Sequence, residues 1–198
     1  INELDLTTVL VESKDKEESL PSVIIDNVKA LEEATNYLLN KGLNNIAYVG
    51  AKKESMNAWG DRYIGYEKAL NEKGLNVDED LVYTKGLKVK TGYEAIEYFE
   101  NSKKNYEAVV CASDEIAMGV INALRERGKK VPEDVSVIGF NDNAVSSVFY
   151  PKITTIKQPS YDMGSVAMRM LIKMLNKKEL EESQYVLDYQ LIERESCK

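Results

Sequence analysis

From Asn27 onward, short apolar runs alternate with stretches of helical periodicity, an order that few folds accommodate. Leu31, Ala34 and Leu38 recur at helical spacing, with Asn27 where an N-cap belongs and Gly42 where a helix stops. Asn45 to Gly50 reads as a strand, Arg62 to Lys73 as a helix before Gly74, and Leu81 to Thr84 as a strand. A helix capped by Thr91 runs to about Ser102 and Glu107 to Ala112 is a strand. Asp114 to about Arg127 is a helix before Gly128, and another strand begins at Val135. Strands separated by helices of ten or more residues pair in parallel through βαβ crossovers. The predicted class is α/β, with parallel sheets flanked by helices. Upstream, Leu6 to Val11 and Val23 to Ile25 predict two strands around the charged loop Glu12 to Ser19. Downstream, Ile153 to Ile156 is extended, Tyr161 to about Asn176 helical, and Tyr185 to Ile192 a last strand.

In open parallel sheets small ligands bind beyond the carboxyl ends of the strands, so polar residues following the apolar runs are the candidates for binding. Asn141 and Asp142 close the run from Val135; the same cluster serves equally as a turn held by its own side chains. Ser113 and Asp114 close the run from Glu107, where either also suits the cap of the next helix. Arg62 follows the polar loop Ser55 to Asp61, and its planar guanidinium suits vicinal hydroxyls, a carboxylate or a phosphate, or an ion pair with Asp61. Trp59, in that loop, offers an indole face to a sugar or covers the surface.

Met163, Val166, Ala167, Met170, Leu171, Met174 and Leu175 form a core stripe on the helix after Pro159, while Asp162, Ser165, Arg169 and Lys173 form a second ridge. Ile116, Val120 and Ala123, on the helix from Asp114, exceed what one buried face needs and predict a surface for a second copy, hence a homodimer.

A net charge of −7 and a pI near 4.9 argue against this chain itself gripping a phosphate backbone, so any DNA contact must come from another part of the protein. The absence of His, with only two separated cysteines, gives no foundation for a transition-metal site, a Ser-His-Asp triad or a disulfide framework. Neither a cofactor nor enzyme chemistry is expected. Cys111 reads as a buried thiol and Cys197 as a tail thiol of a reduced, cytoplasmic protein. No apolar run approaches the ~18 residues that span a bilayer, and Ile1-Asn2-Glu3-Leu4-Asp5 is no signal peptide.

Three segments carry a family resemblance. Val131-Pro132-Glu133-Asp134 through Gly139-Phe140-Asn141-Asp142, followed by Tyr150-Pro151-Lys152-Ile153-Thr154-Thr155-Ile156-Lys157-Gln158-Pro159, is the longest; the others are Arg62-Tyr63-Ile64-Gly65-Tyr66 and Ala112 to Gly119. From about Leu20 to the C-terminus the chain resembles the LacI/GalR family of bacterial transcription regulators. The resemblance implies a two-lobe, type I periplasmic-binding-protein-like fold whose chain crosses between the lobes three times. Residues 1–25 and 159–186 would form a partial N-lobe and residues 27–157 and 187–198 a C-lobe, with the helix-turn-helix headpiece outside this sequence. It implies that Arg62, Ser113, Asp114, Asn141 and Asp142 meet a small effector, a sugar or sugar phosphate, between the lobes; Trp59 joins them on its stacking chemistry alone. Asn141 stands where the family usually has Asp, exchanging two acceptor oxygens for one acceptor and two donors, which shifts the ligand away from simple sugars. The run Gln158 to Arg169 resembles the catabolite-control members, whose corresponding helix docks HPr phosphorylated on a regulatory serine. Tyr161, Asp162, Val166, Arg169 and Lys173 are then the implied partner contacts, and an Arg and a Lys one turn apart suit a phosphoserine. A sugar- or nucleoside-responsive repressor without a protein co-regulator, and an extracytoplasmic sugar-binding protein, are the alternatives on the same fold.

Overall fold

The apolar runs become the strands of two sheets in a computed structural model, which describes residues 6–15, 19–55 and 57–198. The first five residues, on which the signal-peptide expectation rests, lie outside that description. A three-stranded parallel sheet has the order β1-β2-β8, from β1 (Leu10–Val11), β2 (Ser22–Ile25) and β8 (Gln184–Leu187). A six-stranded sheet has the order β4-β3-β5-β6-β7-β9, from β3 (Ile46–Val49), β4 (Val82–Tyr83), β5 (Ala108–Cys111), β6 (Ser136–Asn141), β7 (Thr154–Lys157) and β9 (Gln190–Ile192). All its pairings are parallel except that of β7 with β9. The chain passes between the sheets after Ile25, after Lys157 and after Leu187. Leu187, expected with the larger unit, pairs instead with Ile25 in the smaller sheet.

Every residue of β3 and β5 is buried, which requires cover on both faces of the larger sheet. Four helices supply it: α1 (Asn27–Asn40) packs on α2 (Ala58–Glu72), and α3 (Val89–Ser102) on α4 (Asp114–Glu126). Glycine makes both approaches close. A Cβ on Gly65 would lie 2.2 Å from the Val28 carbonyl oxygen, and one on Gly119 would lie 2.0 Å from that of Val89. The helix α5 (Ser160–Leu175) packs against β1 and β2.

The structure corrects several sequence expectations. Only Leu10–Val11 of the predicted first strand finds a partner strand, because β2 begins at Ser22, opposite Leu10. Asp26, not Asn27, caps α1, accepting from the Lys29 amide at 2.9 Å, and this leaves the Asn27 side chain to turn inward. Asn57 caps α2 a turn earlier than predicted, accepting from the amides of Trp59 and Gly60, so Trp59 is helical. Thr91 lies inside the first turn of α3, its hydroxyl accepting from the Lys88 amide. The predicted last strand divides into β8 and β9, one for each sheet. Ile116, Val120 and Ala123 are buried within the chain, so α4 presents none of the apolar surface expected of it. Cys197 is no tail thiol: it is buried with its sulfur 3.2 Å from the Val137 carbonyl oxygen, beside the Ser196 hydroxyl that donates to the same oxygen at 2.6 Å.

Candidate functional site

Arg62 lies in the second turn of α2 and is 2% exposed. Its Nε donates to Asn27 Oδ1 at 2.9 Å, Nη1 to the Ala112 carbonyl at 2.8 Å and Nη2 to Glu12 Oε1 at 3.2 Å. The guanidinium carbon lies 3.7 Å from the ring centre of Phe140 and 4.7 Å from that of Trp59. One side chain thus ties the ends of β1, β2, β5 and β6 to α2, across both sheets. The alternative of an ion pair with Asp61 is not realised; Glu12 is the partner, because the side chain points inward toward the sheet ends. Burial draws the Arg62 pKa down to about 10 while Glu12 opposes that shift, so the group is cationic at neutral pH.

Asp114, Ser113 and Asp142 are engaged in holding the loops and the chain's C-terminal segment. Asp114 is fully buried, with Oδ1 accepting from the Thr155 hydroxyl at 2.6 Å and Oδ2 from the Asn143 amide at 2.8 Å. Burial raises its pKa, and those two donors pull it back. Ser113 is buried and caps α4 through the Ile116 amide. Asp142 accepts from Arg194 Nη2 at 2.6 Å, so it belongs to an internal ion pair. Asn141 (φ 107°) and Asp142 (φ 55°) occupy the left-handed region in succession, and Asn141 stays half-exposed at the end of β6. Trp59 covers the Arg62 guanidinium with the face that the sequence reading offered to a sugar.

A cavity of about 360 Å³ opens beside this cluster, lined in part by Glu12, Asp15, Asn27, Glu54, Asn57 and Asp61. None of the six expected ligand residues lines it, whereas two partners of Arg62, Glu12 and Asn27, do. Sequence reasoning missed both. The signal for Glu12 was the one applied to Asn141, a polar side chain directly after an apolar run, but the run before Glu12 pairs over only two residues.

On α5, Met163, Ala167 and Met170 are buried, while Tyr161 (86% exposed), Asp162 and Arg169 face solvent. Val166 and Lys173 are half-exposed, and Lys173 Nζ lies 2.8 Å from Glu181. A cavity of about 370 Å³ lies between α5 and Tyr185, lined by Val166, Arg169, Met170, Lys173, Leu180 and Glu181 as well. The expected two-way split of the helix fails at Leu175, which is 63% exposed and joins Met168 and Ile172 in a second, outward apolar stripe.

A family model of the periplasmic binding protein-like domain matches residues 35–197. The chain is 63% identical over 196 residues to the HTH-type transcriptional regulator RegA of Clostridium saccharobutylicum, covering 99% of this chain and 59% of that protein. It is 42% identical over 191 residues to catabolite control protein A of Streptococcus mutans, covering 96% and 56%. The crystal structure of transcription regulator CcpA of Lactococcus lactis superposes with a TM-score of 0.92 at 32% identity, over 100% of this chain and 72% of that one. The chain therefore spans somewhat under two thirds of the length of the curated relatives it matches.

Proposed function

The chain belongs to the periplasmic binding protein-like family, in its LacI/GalR branch of transcription regulators, and from that membership we propose that it is the effector- and co-regulator-sensing core of a cytoplasmic DNA-binding regulator. The observation that carries the reading is the position of Arg62. It joins both sheets beside a cavity, so a molecule entering there acts on the two sheets together. Glu12 and Asn27 line the small-ligand site and Arg62 holds both from behind the cavity wall, while Ser113, Asp114, Asp142 and Trp59 fix the loops and the guanidinium around it. The reaction is binding, not catalysis. A ligand that prefers one arrangement of the sheets shifts the population toward it, and the headpieces of a homodimer report that shift at an operator.

The exposed ridge of α5 supports control by serine-phosphorylated HPr, with Arg169 and Lys173 meeting the phosphate and Tyr161, Asp162 and Val166 completing the contact. Lys173 leaves Glu181 to do so, and because solvent screens an exposed pair of that kind, little opposes the exchange. The test is operator retention by the intact protein in a gel-shift assay, with sedimentation to establish a dimer. Retention that responds to a sugar or to phosphorylated HPr supports the reading; retention indifferent to both, or a protein with no operator affinity at all, contradicts it.

A further inference from the structure

Glu12 already occupies the position at which an anionic ligand would meet Arg62, and we propose that it selects an uncharged, hydroxyl-bearing effector over a phosphorylated one. This selection presupposes that the cavity beside Arg62 is the effector site and adds the charge class of its ligand. Glu12 is a non-glycine residue with φ 54°, a conformation that disfavours a side chain and that here aims the carboxylate from the end of β1 toward α2. Its Oε1 accepts from Arg62 and from Asn27 Nδ2, each at 3.2 Å. Its Oε2 is buried and has no donor among the described residues. A carboxylate oxygen removed from water without a donor is unfavourable, and a ligand hydroxyl beside it supplies one.

A phosphate does the reverse, because it brings acceptors and negative charge to a site that holds a carboxylate. Arg62 and Arg194 are both neutralised already, by Glu12 and Asp142. The cavity wall adds Asp15, Glu54 and Asp61 against Lys14 and Lys53, and Lys53 is held by Glu67. Lys157, beside Asn141 in the sheet register, is exposed, and solvent and salt screen its attraction for an anion.

The test is thermal melting of the intact protein and of Glu12→Gln, with glucose 6-phosphate and with neutral mono- and disaccharides as probes. Gln keeps an acceptor for Arg62 and Asn27 and removes the charge. We expect glucose 6-phosphate to leave the parent unchanged and to bind E12Q roughly tenfold tighter or better, with neutral sugars losing a similar factor. Equal stabilisation of both proteins by glucose 6-phosphate, or of neither, overturns the proposal. A neutral sugar that binds both equally removes Glu12 as the selector and leaves the cavity as the effector site, whereas no response to any sugar in either protein removes the site itself. Should E12Q not fold, the parent decides. Stabilisation by a neutral sugar but not by its phosphate supports the proposal, and stabilisation by glucose 6-phosphate overturns it.

Discussion

Truncating Arg62 to Ala strands the Glu12 carboxylate and the Asn27 and Ala112 oxygens in a buried site. Removing one partner of such a pair costs about 3–5 kcal/mol, so we expect R62A to lose that much in urea unfolding; a loss under ~1 kcal/mol would show that the pair is not a structural tie. Asp114 provides a second prediction, through pH. Its folded pKa is raised above the ordinary 3.8, so the native state binds the proton more tightly than the unfolded chain. Its contribution to stability is therefore fully present below pH ~4 and is lost as pH rises through the folded value. Against the non-titrating D114N, the parent should lose relative stability between acid and neutral pH in urea unfolding; a relative gain contradicts the burial argument. Arg62 stood out in the sequence because its motif and its place after a polar loop both single it out, and the structure shows it as a buried tie between the two sheets. Its partner did not stand out, since Glu12 lies 50 residues away, just beyond the end of β1, and nothing local in the sequence records that pairing.

The helical stripe of α1 and the strand runs were readable because burial on both faces of a parallel sheet imposes continuous apolar runs, with amphipathic helices to cover them. Helix starts were less readable. Asp26 and Asn27 compete for one cap, and only packing decides which turns inward to Arg62. On α5 the periodicity identifies Met163, Ala167 and Met170 correctly and errs at Leu175, because the helix outruns the short three-stranded sheet beneath it. The consequence for mutants is asymmetric. Met170→Asp buries an unpaired charge and should destabilise by about 3 kcal/mol or more, whereas Arg169→Glu, facing solvent, should stay within about 0.5 kcal/mol. Paired thermal melts decide the matter; similar losses in both would place Arg169 in the core of the fold.

Across the whole molecule, the two-sheet architecture and its crossings were accessible from the alternation of elements and the family resemblance, while the division of the last strand between the sheets was not. Residues 188 and 189 carry no turn signature strong enough to separate β8 from β9, and the split follows from which sheet edge each half reaches. In the proposed reading the charged ridge of α5 is where a partner would meet this architecture, and calorimetric titration of the intact protein with HPr tests that reading most directly. We expect serine-phosphorylated HPr to bind, with affinity falling as salt rises, and Arg169→Glu to weaken it while leaving the fold intact. Equal affinity for the phosphorylated and unphosphorylated forms, or an R169E variant that binds as tightly as the parent, contradicts catabolite control through this helix.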